Sequence, residues 1–278
     1  MKCLICNSDM EYYFSKTYTG EPFATYMKDI GTVNYCKCKN CGFVFSETHS
    51  KLPSQLWEKL NLEYHHYSEM MKARRDPDRP ANPSPYFQQA ATINLLIKND
   101  IIDPSPMLDF AGGYGTLSKL LQKYFGQKLY IYDPYVRQES SDYIATEDLK
   151  KYKVVVNSAM FEHIINRDTL DQLNSLVDSD GCLIIHTLVC ERIPADPDWF
   201  YLKPPVHCAF HTNKSMEILM EQWGGYASSI YCPVSKTWVL LKKERKNLSE
   251  KIEAVNVELQ QDYLIYKKGG FIDYWKGF

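Results

Sequence analysis

The sequence predicts an α/β fold with a seven-stranded, mostly parallel sheet, preceded by a small cysteine-rich module. Two observations carry this prediction. Short apolar segments with strand character alternate with segments of helical periodicity from about residue 93 to residue 245. In addition, five of the nine cysteines lie before residue 42, ahead of that alternating region. Alternating strands and helices are typical of a parallel sheet that is covered on both faces.

The N-terminal module, predicted for residues 1–50, contains two C-x-x-C pairs. The four cysteines are Cys3, Cys6, Cys38 and Cys41. Each pair places two thiolates on one tight turn, and two such turns brought together by a hairpin form a tetrahedral zinc ribbon. Cys36 lies just outside the second pair and could replace Cys38 only with a different loop geometry. The predicted zinc is structural, because so small a module cannot bury enough surface to fold without its metal.

Residues 51–92 are predicted to be a helical linker or lid. The segment "LEYHHYSEMM" has the character of a helix, and "RRDPDRPANPSP" at 74–85 is the stretch richest in breakers. The basic cluster in that stretch is either a solvated loop or a contact for RNA; its members are Arg74, Arg75 and Arg79.

A glycine-rich turn is the strongest functional signal. The segment "MLDF" at 107–110 predicts a buried strand, "AGGYG" a turn, and "TLSKLLQKYFG" an amphipathic helix. The third glycine of a dinucleotide fingerprint is missing. Instead, an acid at Asp109 is followed after three residues by G-x-G, at Gly113 and Gly115. This resembles the first motif of class I S-adenosylmethionine-dependent methyltransferases, close to "LDIGCGTG", with Ala111 replacing the first glycine.

Later segments resemble the same family in the same order. The strand "QKLYIYD" ends at Asp133, where an acid about 20 residues past the loop can bind ribose hydroxyls. The strand "KYKVVVNS" ends at Asn157 and Ser158, and the following "FEHI" resembles the "LEH" of small-molecule methyltransferases. "SLVDSDGCLIIHT" and "YCPVSKTWVLLKK" resemble a further strand and the closing antiparallel pair. The resemblance covers residues from about 90 to 243 and implies a Rossmann-like domain, predicted for residues 93–245.

The resemblance implies S-adenosylmethionine as the methyl donor. The residues predicted to bind it are Asp109, Ala111, Gly113, Gly115, Asp133, Asn157 and Ser158. Two alternatives stay open at this point. One is a Rossmann-like domain that binds NAD, and the other is a non-catalytic cofactor-binding partner, for which Ala111 in the glycine turn is the support.

A zinc ribbon ahead of this domain resembles bacterial sugar, capsule and secondary-metabolite methyltransferases. The implied acceptor is a sugar or sugar-linked metabolite, methylated on oxygen or carbon, although the sequence does not discriminate among oxygen, carbon and nitrogen. Sugar C-methyltransferases usually carry a large C-terminal domain, whereas residues 246–278 predict one helix and a tail. A second family, the zinc-finger ribosomal RNA guanine methyltransferases, has a segment similar to "SEMMKARR" at 68–75.

Composition and charge weigh against several of these classes. The formal net charge of −2 gives no general attraction to nucleic acid or to an anionic membrane surface. No apolar run is long enough to span a bilayer, and no apolar core follows Lys2 as in a signal peptide. We therefore expect a cytoplasmic protein that acts on a small molecule. Nothing in the sequence predicts its oligomeric state.

Transfer to a hydroxyl requires a base, and histidine is the usual base near neutral pH. His207 is the first candidate, because it lies in the long loop after the fifth strand, where such folds bind substrates. His163, which follows the fourth strand, is the second candidate, and Tyr67 of the linker is the third. We expect aromatic residues of the long loop to form an apolar wall for the acceptor, namely Trp199, Phe200, Tyr201 and Phe210.

Overall fold

The structure is a computed structural model that describes residues 1–73, 85–136, 138–268 and 270–271. The predicted basic cluster of Arg74, Arg75 and Arg79 lies outside these residues. The helices are α1 (Phe23–Tyr26), α2 (Glu47–Ser50), α3 (Ser54–Ala73), α4 (Tyr86–Lys98), α5 (Thr116–Phe125), α6 (Arg167–Ser175), α7 (Asn213–Gln222) and α8 (Leu248–Leu259). The strands are β1 (Met10–Lys16), β2 (Val33–Cys38), β3 (Val44–Ser46), β4 (Met107–Phe110), β5 (Tyr130–Tyr132), β6 (Tyr152–Ser158), β7 (Val177–His186), β8 (Val189–Cys190), β9 (Ala209–Thr212), β10 (Ser228–Cys232), β11 (Thr237–Leu241) and β12 (Ile265–Lys267).

The larger sheet has seven strands within the described residues, in the order β12-β10-β11-β7-β6-β4-β5. The prediction of seven strands is confirmed. The prediction of a mostly parallel sheet is wrong, since β5, β4, β6 and β7 are parallel whereas β11, β10 and β12 are antiparallel. In the segment between β5 and β6, Tyr143 forms an isolated parallel bridge with Ile131 in place of a full strand, because too few residues separate β5 from β6 to form a helix and a strand. The C-terminal segment supplies β12 at the other edge.

Alternation of side chains along the central strands divides the core into two layers. On β6, Val154 and Val156 face a layer formed with α4, α5 and α8, whereas Val155 faces the opposite layer. All four residues of β4 are buried, as expected for a parallel strand covered on both faces. No helix of the described residues is long and apolar enough to cross a lipid bilayer.

The N-terminal segment of residues 1–50, called the ribbon below, contributes β1, β2 and β3 to the second sheet, whose strand order is β1-β2-β3-β9-β8. Strand β3 pairs antiparallel with β9, so that Val44 lies opposite Phe210. The segment between β7 and α7 thus forms part of the ribbon sheet. Ribbon side chains also bind this segment: the hydroxyl of Tyr35 donates to the carbonyl of His207 over 3.0 Å, and Tyr18 donates to the carbonyl of Leu202 over 2.9 Å. The ribbon therefore fixes the backbone of the long loop.

Candidate active site

The glycine turn follows β4 with an unusual backbone. Ala111, Gly113 and Gly115 have φ angles of 62°, 54° and 70°, in the left-handed region that favours glycine. A Cβ atom on Gly115 would lie 2.5 Å from Cδ1 of Ile131, so a larger residue there would require the buried Ile131 side chain to move. Ala111 adopts the left-handed conformation despite its side chain, which means that the glycine-to-alanine replacement preserves the path of the turn. Gly115 leads directly into α5.

Asp133 at the end of β5 holds this turn in place. Its carboxylate accepts a hydrogen bond from the backbone N–H of Gly113 over 2.8 Å. The other carboxylate oxygen accepts from the N–H groups of Tyr135 and Val136, over 2.9 and 2.8 Å. Asp133 is 9% exposed and borders a cleft. Because each carboxylate oxygen can accept two hydrogen bonds, Asp133 retains capacity for a ligand hydroxyl.

Asp109 on β4 is a buried acid that takes part in no ion pair within the described part of the chain. Its Oδ1 atom has no hydrogen-bond partner among the described residues, although Asp109 borders the same cleft. Burial, and secondly the nearby carboxylate of Asp133, raise the pKa of Asp109 to about 8. A buried carboxyl in this position is suited to a positively charged ligand group, which would favour its ionised form.

The raised pKa of Asp109 predicts a pH-dependent stability. The unfolded carboxyl ionises near pH 4, whereas the folded one stays protonated up to about pH 8, so the protein loses stability as pH rises through this window. Asp109→Asn removes the titrating group. Without ligand, the free energy of unfolding of the wild type should fall relative to that of Asp109→Asn as pH rises from 5 to 8. The difference should grow by up to about 1.4 kcal/mol for each pH unit. Denaturant titrations at several pH values measure this difference, and a constant difference would contradict the assignment.

The cleft has a volume of about 420 Å³ and lies at the carboxyl ends of the parallel strands. One wall is the glycine turn with the ends of β5 and β6, and α3 with the start of α4 forms the other. No lysine or arginine within the described part of the chain lines it. Other lining residues come from the second wall, from the loop after β6 and from the segment before β9. They include Trp57, Asn61, Tyr64, His65, Tyr86, His163, Ile164, Asn166 and His207.

The two polar residues at the end of β6 have different surroundings. Ser158 lines the cleft, and its hydroxyl donates to Oε1 of Gln89 over 3.1 Å. Asn157 does not line the cleft, which corrects its predicted place beside the donor. It is fully buried, and its side-chain amide donates to the carbonyl of Phe110 over 2.7 Å. It thus joins β6 to the end of β4 just before the glycine turn.

Three histidines from distant parts of the chain meet in the cleft. The ring of His163 lies 5.3 Å from that of His65 and 5.0 Å from that of His207, measured between centroids. Nδ1 of His207 lies 2.6 Å from the carbonyl oxygen of Tyr201, so Nδ1 carries the proton and Nε2 keeps its lone pair. Burial lowers the pKa of His207 to about 3 and lowers that of His163 well below its usual value. Both rings are therefore neutral.

Glu162 is a buried residue of this region that sequence reasoning did not select, although it belongs to the "FEHI" segment. It is 2% exposed, and burial raises its pKa. One carboxylate oxygen accepts from the hydroxyl of Tyr201 over 2.8 Å, and the other accepts from Thr187 over 2.9 Å. The backbone carbonyl of Glu162 accepts from the N–H of Cys208 over 2.7 Å. Glu162 thus ties the loop after β6 to the segment that carries His207.

The aromatic residues predicted for the acceptor lie elsewhere. Tyr67 is not among the residues that line the cleft; its ring packs against Phe23 and Tyr26 of the ribbon at 5.6 and 6.4 Å. The expected wall of Trp199, Phe200, Tyr201 and Phe210 is also absent from the described lining. Trp199, Tyr201 and Phe210 pack on one another and belong to the core that includes the ribbon, whereas Phe200 is 44% exposed.

The four cysteines of the two C-x-x-C pairs meet in a second cluster. Their sulfur atoms all lie within 4.8 Å of one another, with 3.7 Å between Cys3 and Cys41 and 3.4 Å between Cys6 and Cys38. Tetrahedral zinc with bonds of about 2.3 Å separates its sulfur ligands by about 3.8 Å. Two backbone N–H groups point at these sulfurs, from Ile5 to Cys3 and from Cys41 to Cys38. Cys36 lies on β2 opposite Tyr12 and is not part of the cluster.

Comparisons with known proteins identify the family. A model of the methyltransferase domain family matches residues 85–225, about half of the chain. Among solved structures, the plantazolicin methyltransferase BpumL, complexed with a pentazolic desmethylplantazolicin analogue and S-adenosylhomocysteine, is similar with 14% identity and a TM-score of 0.46. That alignment covers 68% of this chain and 96% of the other. The magnesium protoporphyrin IX methyltransferase ChlM from Synechocystis, with bound S-adenosylhomocysteine, has 16% identity and a TM-score of 0.41, covering 64% of this chain and 95% of the other.

The search of curated proteins found no significant match. The family match includes the glycine turn, Asp133 and the "FEHI" segment, which line the cleft opposite α3. The chain therefore belongs to the methyltransferase domain family and is an S-adenosylmethionine-dependent methyltransferase.

Proposed function

We propose that the cleft binds S-adenosylmethionine at the glycine turn and transfers its methyl group to a sugar or sugar-linked metabolite. The observation that carries the donor site is the buried Oδ1 of Asp109 beside the glycine turn, which has no hydrogen-bond partner in the part of the chain that the structure describes. The donor supplies an activated methyl group on a sulfonium, and its ammonium group is a suitable partner for Asp109. The turn residues Ala111 and Gly113 line the cleft and let the donor approach the backbone, and Ser158 borders the same space. Gly115 does not line the cleft; it lets the turn pack closely against Ile131.

Asp133 is proposed to bind the ribose hydroxyls of the donor. Asp133→Ala is expected to weaken donor binding by about 1–3 kcal/mol, the loss of hydrogen bonds to a charged group. Isothermal titration calorimetry with S-adenosylmethionine measures this change. The matched control is Asp148→Ala, which removes an exposed acid outside the cleft and leaves the affinity unchanged. Unchanged affinity in Asp133→Ala would reject the assignment, and tighter binding of NAD than of S-adenosylmethionine would overturn the donor proposal.

The acceptor half of the cleft favours an uncharged, hydroxyl-rich molecule. Aromatic rings from Trp57, Tyr64 and Tyr86 can pack against a sugar ring. Nδ2 of Asn61 donates to the carbonyl of Trp57 and Oδ1 of Asn166 caps α6, so Oδ1 of Asn61 and Nδ2 of Asn166 are the amide atoms that can bind its hydroxyls. The lack of lysine and arginine in the described lining gives no support to the alternative of an RNA substrate.

Mass spectrometry of products formed from labelled donor and a metabolite extract tests the acceptor proposal. We expect labelled O- or C-methylated sugars or sugar conjugates. Label that appears in guanine of RNA, or in acceptors without a sugar, would contradict the proposed acceptor while leaving the donor site intact.

The proposed base is His207, with His163 as the competing candidate. His207 donates its Nδ1–H to the carbonyl of Tyr201, which leaves Nε2 with a lone pair to take the acceptor's proton. If this proton leaves in step with methyl transfer, the positive charge of the sulfonium passes to the imidazole of His207, and no protonated ether forms on the acceptor oxygen. Tyr67, the third candidate from the sequence, is not proposed, because it packs against the ribbon.

A structural zinc ion is proposed at Cys3, Cys6, Cys38 and Cys41. The donor set and spacing match the ligands that zinc prefers, and the backbone N–H groups of Ile5 and Cys41 stabilise the thiolate charge. The zinc would hold the ribbon rigid, and through β3 and Tyr35 the ribbon would position the loop of His207.

A further inference from the structure

We propose that Glu162, His163 and His207 form a binding site for a divalent transition-metal ion beside the donor cleft. One potential ligand atom from each of these residues lies within 4.8 Å of the other two. Ligand atoms on one such ion are roughly 3–4 Å apart, so side-chain shifts of about an ångström complete the site. Two imidazoles and one carboxylate form a set of ligands that binds such ions in preference to calcium or magnesium.

A buried nitrogen without a partner is the second observation. Nδ1 of His163 is buried and has no hydrogen-bond partner among the described residues. An unpaired ring nitrogen in this position is costly unless a ligand uses it. Because Nδ1 of the neighbouring His207 donates to the carbonyl of Tyr201, its Nε2 keeps a lone pair, and the two histidines together can provide two donors to one ion.

The surroundings of the three ligands are those of a metal site. Residues that bind metal usually donate or accept a further hydrogen bond that fixes their orientation. Tyr201 supplies two of these bonds, since its carbonyl binds Nδ1 of His207 and its hydroxyl binds Glu162. Thr187 binds the second oxygen of Glu162. Glu162 is 2% exposed and none of the ion pairs among the described residues includes it, so a metal ion would place a positive charge beside a buried carboxyl group.

The site depends on the proposed function in one respect only. A metal bound to Nε2 of His207 occupies the lone pair that the proposed base uses. Binding is therefore expected to inhibit methyl transfer while leaving the donor affinity unchanged.

Titration of the zinc-loaded full-length chain with Co²⁺ tests the proposal. We expect one Co²⁺ per chain with the weak visible bands of nitrogen and oxygen ligands, without the intense thiolate charge-transfer band that a cysteine site gives. His163→Gln and His207→Gln are expected to weaken binding at least about 10-fold, and Tyr201→Phe about 10-fold through Glu162. The control His66→Gln, on an exposed position of α3, keeps wild-type binding.

Two results would overturn the metal site: no Co²⁺ bound outside the cysteine cluster, or equal binding by wild type and His163→Gln. Inhibition of methyl transfer at saturating Co²⁺ supports both the site and the base. Activity that rises with bound Co²⁺ would retain the metal site and overturn the assignment of His207 as the base. Failure of the metal site and failure of the proposed function are thus distinguishable.

Discussion

Cys38→Ser is expected to abolish zinc binding and to unfold the ribbon. Apparent binding free energies for structural zinc are about 10–16 kcal/mol, as large as the whole stability of a typical domain. Elemental analysis should find about one zinc per wild-type chain and none in the variant, and thermal unfolding should begin at a lower temperature. The matched control is Cys36→Ser, a buried cysteine of the same strand outside the cluster, which should retain its zinc. Loss of zinc from Cys36→Ser but not from Cys38→Ser would reverse the choice of ligand.

Loss of zinc is also expected to impair methyl transfer more than donor binding. The ribbon is tied to the long loop by the pairing of β3 with β9 and by the hydrogen bond from Tyr35 to the carbonyl of His207. The glycine turn and Asp133 belong to the other sheet. Calorimetry on the metal-free protein should therefore show donor binding close to that of the wild type. A metal-free protein with full activity would show that the ribbon does not position the loop.

His207→Asn is expected to lower turnover by about 10²–10⁴-fold, the usual contribution of a general base. Asparagine can still donate to the carbonyl of Tyr201, but it lacks a basic nitrogen in place of Nε2. Donor affinity should stay nearly unchanged, because Asp109, Asp133 and the glycine turn are untouched. Single-turnover rates with the identified acceptor, together with calorimetry for the donor, separate these effects.

The parallel variant His163→Asn decides between the two candidates. If His163→Asn loses turnover while His207→Asn keeps it, His163 is the base. Full activity in both variants would rule out base catalysis by histidine, and positioning of the acceptor alone would then account for the rate. Because the rings lie 5.0 Å apart, partial losses in both variants would indicate that the two imidazoles act together.

Local patterns were sufficient wherever the interacting residues are close in the chain or lie on adjacent strands. The C-x-x-C spacing placed Cys38 and Cys41 on one turn, and the hairpin of β1 and β2 brings them to Cys3 and Cys6 as the pattern requires. The turn after β4 was equally predictable, because a buried strand, small residues and an amphipathic helix are adjacent in sequence. Asp133 could be predicted as well, since neighbouring parallel strands end at the same edge of the sheet.

Side-chain placement over longer distances was decided by the tertiary structure. The sequence alone determined the strand–glycine turn–helix unit, the acid at the end of β5 and the paired cysteines, because each depends on backbone geometry within a few residues. Packing decided that Tyr67 faces the ribbon, that β12 adds an antiparallel edge, and that His163 and His207 meet beside Glu162. The path of a long loop depends on which apolar surface its aromatic residues bury, and here that surface is the ribbon core. The ribbon and the loop are far apart in the sequence, so no local pattern predicts that they pack together.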